Sequence, residues 1–418
     1  MKHKALALLA LLLLVGASRL SAQGTSDSTL TPQEIKDRLD GISENLNTLN
    51  GDVAILKGLK ASGYLQFRYE YNDTSKSAGA STTTASNNPN ANNFYIRRGR
   101  IKFTFQPNQS SKYVIYFDAS KNTVSLKEAY AELNHHFKDN VFTMTAGQFN
   151  IPFGYEIEYS SSKRDFPERS LAENNLFKGE RDRGLNLTWN APKYLQVNVG
   201  VLNGYGIEDS RNTWFDPTKP KDFVGRAKAK LGKLDVGFST YFGKTFVPGT
   251  PAVAAVPGST TWYDANANRI IDSGETTTTA PKAAVAAKPG IEYEKNRVGF
   301  DAQLYLDILP VGGTGIRGEF YGARDKGLTE QGWYLWLSQN LGTKFGAALR
   351  YDYWDPNADG VNDAVGTYSA AFHYFFDANV RITAAYDVAQ TLAGKSTFSK
   401  YKDNVKRNRF TLQFQYTI

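Results

Sequence analysis

The 418-residue sequence contains no cysteine, which excludes both a disulfide framework and a thiolate metal centre. Four histidines leave little material for a His-rich metal site. A further absence concerns membrane crossing: no apolar run reaches the ~20 residues that a spanning helix needs. Residues Ala5–Val15 are apolar but too few, and they follow the basic Lys2 and Lys4. This pattern predicts an export signal over residues 1–22, ending at Ser21-Ala22, with Gln23 opening the mature chain. Leu20 is larger than the small residue usual at the third position before a cut. Loss of Lys2, Lys4 and Arg19 lowers the formal charge from +8 to +5. A basic balance points to nucleic acid or to anions. Export removes nucleic acid as an expected partner. An exported chain with no helical span is either water-soluble or a β-barrel.

Aromatic residues, by contrast, are plentiful. They supply 13% of the chain, with 24 Tyr and 25 Phe, which suits a β-protein with aromatic girdles.

Residues 23–60 predict a helix. Thr31-Pro32-Gln33-Glu34 is a helix start, with Thr as N-cap, Pro in the first turn and Glu three residues on. Ile35, Leu39, Ile42, Leu46, Leu49, Val53 and Leu56 then follow at alternating spacings of four and three. That is a heptad seam, and it predicts a short periplasmic coiled coil formed by self-association. Gly41, Gly51 and Gly58 weaken the helix by about 1 kcal/mol each relative to Ala, so the coil depends on the body it is attached to.

From Ser62 onward the period becomes 2. Leu65, Phe67, Tyr69 and Tyr71 alternate with Gln66, Arg68, Glu70 and Asn72. The pattern recurs to Phe410, Leu412, Phe414, Tyr416 and Ile418, giving sixteen segments over residues 61–418. Connections alternate short and long. Short ones fall near 107–111, 137–140, 191–193, 232–233, 309–314, 342–343 and 377–379. Long ones fall near 73–93, 150–182, 204–222, 244–294, 324–332, 355–365 and 389–406, with 121–124 a short exception on that side. Such asymmetry predicts an all-β fold: a 16-stranded antiparallel transmembrane β-barrel of the bacterial outer membrane, with the N-terminal helix and C-terminus on the periplasmic side. One face of each segment then meets lipid, and the other lines a water-filled lumen.

The inner face is where selectivity is expected. Arg98, Arg100 and Lys102 share one side of a strand, and Arg226, Lys228 and Lys230 share another. Arg297, Arg317, Arg350, Arg381 and Arg409 add single cations. Such groups in a narrow wet pore attract anions. The 150–182 connection is the third on the long-loop side, the one that commonly folds inward in sixteen-stranded channels. Its Lys163, Arg164, Arg169 and Lys178 are therefore candidates for a constriction.

Several segments together resemble the phosphate-selective porin O/P family. They are Arg97-Arg98-Gly99-Arg100, Leu126-Lys127-Glu128-Ala129-Tyr130-Ala131-Glu132, Gly147-Gln148-Phe149-Asn150-Ile151-Pro152-Phe153-Gly154, Glu168-Arg169-Ser170 and Arg181-Asp182-Arg183-Gly184-Leu185. The resemblance is densest over residues 60–200 and continues to motifs such as Gly332-Trp333-Tyr334. It implies a homotrimeric channel for passive diffusion of small solutes, with a preference for anions such as phosphate. A different class of role, an adhesion or assembly scaffold, would use the 244–294 loop and the coil instead.

Within that loop, Asp264, Asn266, Asn268, Ile270, Asp272 and Glu275 fall at positions 1, 3, 5, 7, 9 and 12 of an EF-hand-like pattern, so a structural Ca²⁺ site is a candidate. Arg269 replaces the usual Gly at position 6, and the surrounding Ala/Thr/Pro-rich chain reads as mobile. No other cofactor is expected. His135, His136 and His373 lack an accompanying nucleophile motif, so no catalysis is expected either.

Overall fold

The computed structural model describes residues 32–74, 92–120, 123–177, 179–192, 194–207, 218, 220–265, 267, 269–360, 363–391 and 407–418. The predicted signal over 1–22 lies outside the described residues.

Two units make up the chain, divided between Lys57 and Gly58. The first carries helix α1 (Pro32–Lys57), which starts at the proline whose fixed φ suits a first helical turn. The seam residues Leu39, Ile42 and Leu46 are exposed along it.

The second unit is a closed antiparallel barrel. Its first nine strands are β1 (Leu59–Thr74), β2 (Asn92–Phe105), β3 (Ser111–Ser120), β4 (Thr123–Phe137), β5 (Asn140–Asn150), β6 (Arg181–Asn190), β7 (Leu195–Leu202), β8 (Asp222–Leu231) and β9 (Leu234–Val247). The chain then leaves the wall, forms the small hairpin β10 (Ser259–Trp262) and β11 (Thr276–Thr279), and returns. Seven strands complete the wall: β12 (Ile291–Leu309), β13 (Gly312–Asp325), β14 (Leu328–Leu341), β15 (Phe345–Asp355), β16 (Val365–Phe375), β17 (Val380–Thr391) and β18 (Arg407–Thr417). Strand β1 pairs with β18 from Tyr64↔Thr417 to Thr74↔Arg407, so sixteen strands close the cylinder, the number the alternation predicts.

The two faces separate as period 2 requires. In β3, Tyr113, Ile115 and Phe117 are exposed on the outside, and Val114, Tyr116 and Asp118 are buried inside. No described helix is long and apolar enough to span a bilayer; a closed ladder of strands satisfies every backbone group that lipid cannot. Cross-strand aromatic pairs reinforce the outer face, such as Tyr351 with Tyr368 and Phe345 with Phe372, at centroid distances of 4.7 and 5.8 Å.

Three local features differ from the sequence expectation. The connection expected over 324–332 is a two-residue turn, because Asp325 pairs with Leu328. Lys326 and Gly327 both adopt positive φ (53° and 81°), the geometry of a tight hairpin. The 244–294 loop carries β10–β11 and the antiparallel bridges Thr250↔Lys288, Val253↔Val285 and Val256↔Lys282 rather than bare chain. Finally, β2 contains a bulge: Gln66 pairs with Arg98 but Phe67 pairs with Ile96. The extra residue, Arg97, is thereby rotated out of simple alternation.

Candidate functional site

The 151–180 segment enters the lumen because the end of β5 is built to bend. Phe149, Ile151 and Phe153 are all buried, and Gly154 turns the chain at φ 62°. A Cβ at Gly154 would also collide with Glu319 Oε1. That carboxylate accepts from the backbone N–H groups of Tyr155 (2.9 Å) and Glu156 (3.0 Å), at the start of the short helix α2 (Tyr155–Glu158). Farther on, Ser170 caps helix α3 (Leu171–Leu176), and the N–H of Leu171 donates to Asp352 at 2.7 Å. Phe153 meets Phe177 and Tyr321, and Phe166 meets Trp336. Large side chains buried this way contribute about 1.5–3 kcal/mol each. The loop is thus part of an apolar core inside the barrel, which narrows the lumen.

Polar contacts tie the loop to the wall from β13 round to β1. Ser161 hydrogen-bonds Tyr64, and its carbonyl accepts from Gln66 at 2.9 Å. Wall arginines donate to loop carbonyls: Arg68 to Pro167 at 2.6 Å, Arg350 to Glu168 at 3.1 Å and Arg381 to Arg164 at 3.0 Å. Asp165 joins Arg317 at 3.2 Å and accepts from the Trp336 indole at 3.1 Å.

At the centre of these contacts lies Glu168. It meets Arg68 at 2.5 Å, Arg97 at 2.7 Å and Arg98 at 3.6 Å. The bulge explains the trio, since Arg97 and Arg98 are consecutive yet both face inward. Burial alone would raise the Glu168 carboxyl; the three guanidiniums outweigh it and hold the group well below the usual carboxylate range. Arg164 lies in the same loop, buried, with Nε and Nη1 lacking any hydrogen-bond partner. Burial and the nearby Arg169 push its guanidinium down to about 10.

The remaining expected cations divide differently. Arg100 pairs with Asp118 (2.9 Å), Lys102 with Glu128 (3.1 Å) and Arg169 with Glu173 and Glu180 (3.1 and 2.5 Å). Arg226 pairs with Asp301 and Lys228 with Glu158, both at 2.8 Å. Lys163 is exposed, and Lys230 sits opposite Asp235 across the β8–β9 hairpin. Lys178 lies outside the described residues. The structure therefore brings Arg98 and Arg164 together with the loop and gives most of the other cations their own carboxylate. Arg97, Arg68 and Glu168 are the members that cation counting misses. Their signal was the Arg97-Arg98 doublet, which simple alternation cannot place inward twice.

In the outer loop, Glu275 accepts from the N–H groups of Ala265 and Asp272 (both 3.1 Å), and Asp264 accepts from the N–H of Arg269 (2.8 Å). Ile270 is exposed. Arg269 takes φ 62°, the conformation for which Gly is usual at that position. Asn266 and Asn268 lie outside the described residues. Among the described residues, no three His, Asp or Glu side chains converge as a metal cage.

A closed sixteen-stranded barrel, apolar outside, polar within and narrowed by the third connection on its long-loop side, defines a porin. The chain belongs to the family described as phosphate-selective porin O and P, whose model matches residues 64–418. It is accordingly a protein of the bacterial outer membrane. No functionally curated relative matches it. Among solved structures it is similar to an anion-selective porin from Comamonas acidovorans, at 8% identity and a TM-score of 0.54, covering 86% of this chain and 99% of that one. The outer membrane channel DcaP of Acinetobacter baumannii is similar at 10% identity and 0.51, covering 86% and 97%. The trimer form of OmpT from Vibrio cholerae is similar at 12% identity and 0.50, covering 86% and 100%. At these identities the likeness is one of fold.

Proposed function

We propose that this porin passes small anions by passive diffusion and selects them where the loop meets β1 and β2. The observation that carries the proposal is the charge imbalance there: Arg68, Arg97 and Arg98 share the single carboxylate of Glu168, with Arg164 beside them. Surplus guanidinium charge in a confined, low-dielectric passage attracts anions and repels cations. Phosphate or a similar oxyanion suits the guanidinium fork. The family description supports the same preference. The protein acts as a channel and not as an enzyme. Reversal potentials in planar bilayers under a salt gradient test the selectivity; preference for cations overturns it.

We also propose a homotrimer, supported by the trimeric form of one structural neighbour. The exposure of the seam residues Leu39, Ile42 and Leu46 on α1 supports a three-stranded coil. Calcium binding by the 264–275 loop is a further proposal, supported by its ligand spacing and by φ 62° at Arg269. Calorimetric titration of the full-length protein with Ca²⁺, with Glu275→Gln as control, tests it.

A further inference from the structure

Apart from the Glu168 cluster, the lumen holds a second chemical environment at its short-turn end. A cavity of 550 Å³ is lined by Tyr155, Tyr159 and Tyr305, and it reaches the β6–β7 turn at Ala191 and Tyr194. A neighbouring cavity of 490 Å³ shares Tyr305, Lys230 and Asp235 and reaches the β8–β9 turn at Gly232 and Lys233. Together they form a basin beneath the loop on the periplasmic side.

Its charges balance, in contrast to the Glu168 cluster. Arg226 pairs with Asp301 and Lys228 with Glu158, while Lys230 and Asp235, opposite each other in the β8–β9 register, bring the lining of the larger cavity to three cations and three carboxylates. Anion attraction is therefore not what this basin supplies. It supplies ring faces and short-range polar groups instead. Tyr155 and Tyr159 stack at 5.0 Å with 23° between their planes. The Arg317 guanidinium lies 5.8 Å from both Tyr159 and Tyr305, which fixes the rings in place. Asp235 Oδ1 is buried with no hydrogen-bond partner. Flat aromatic platforms beside matched donors and acceptors complement a solute with C–H faces and a rim of hydroxyl groups. The volume falls within the range of small-ligand sites, about 300–1,000 Å³.

We propose that this tyrosine basin is a carbohydrate-binding subsite, suited to a neutral sugar of one or two rings. It rests on the porin fold and not on the anion preference proposed above.

The test uses the full-length trimer or monomer as purified, reconstituted in planar bilayers. Maltose added on the short-turn side produces a saturable fall in conductance beyond that of glycerol at equal viscosity. Tyr305 stands on the wall and is partly exposed, so Tyr305→Ala leaves the barrel intact. That variant raises the half-blocking concentration roughly tenfold, the scale of losing one aromatic platform, and Tyr305→Phe retains the block. Three results overturn the proposal: conductance that follows viscosity alone, a block indifferent to Tyr305→Ala, or a block by benzoate with none by maltose. The reversal potential, read in the same membranes, reports the anion preference separately.

Discussion

Glu168→Gln isolates the charge imbalance on which selectivity is proposed to depend. The wild-type site holds three guanidiniums against one carboxylate, and Arg68 and Arg98 are almost completely buried. The substitution keeps the side-chain shape and one acceptor but raises the local charge by one unit. For an ion passing roughly 7 Å away, one unit of charge amounts to about 0.6 kcal/mol at the dielectric of water. That energy favours anions and disfavours cations alike, so the anion-to-cation permeability ratio rises at least roughly sevenfold. A lower effective dielectric enlarges the effect. The assay is the zero-current potential across a bilayer separating unequal KCl solutions. Single-channel conductance is recorded alongside, because three arginines without a carboxylate also loosen the loop. Arg97→Gln is the matched control: Arg97 is the least buried of the three, and its loss moves the permeability ratio the opposite way at unchanged conductance. A zero-current potential identical to wild type in both variants refutes the placement of the selectivity site.

Three further outcomes follow from the same geometry. Gly154→Ala forces a Cβ onto a left-handed residue and into Glu319, costing about 1–2 kcal/mol for the backbone alone; the loop entrance is displaced, and single-channel conductance rises. Glu168 has a depressed carboxyl, so its contribution to holding the loop is complete above the ordinary carboxylate value of about 4.3 and is lost as pH falls through the depressed value. The part of the conductance that depends on Glu168, read as the difference between wild type and Glu168→Gln across a pH series in bilayers, therefore stays level from neutral to mildly acidic solution and changes only in strong acid. Paired substitution of Ile42→Glu and Leu46→Glu places like charges at exposed positions of α1; the proposed trimer then dissociates at a lower temperature in heated gel electrophoresis, with barrel folding unaffected.

Much of this architecture is legible in a single chain, for a physical reason. A strand with lipid on one side and water on the other must alternate, so residues such as Leu65, Phe67, Gln66 and Arg68 declare their faces locally. The sixteen strands and the inward position of Arg98, Arg100 and Lys102 follow from that rule. Loop 150–182 is marked by its length and by the Gly147–Gly154 motif, whose Phe149, Ile151, Phe153 and Gly154 form the inward bend.

Which charges remain unmatched is a different kind of property. Arg100 and Lys102 are neutralised by Asp118 and Glu128, partners supplied by neighbouring strands in a register that alternation does not specify. Arg97 reaches the lumen only through a bulge against β1. Glu168 becomes a hub only after the loop crosses the barrel and meets strands about 100 and 70 residues earlier in the chain. The sequence by itself determined the faces, the strand count and the loop that enters. Tertiary structure alone decided the pairing of charges, because strand register sets Arg100 against Asp118 and the loop's crossing of the lumen sets Glu168 against Arg68, Arg97 and Arg98.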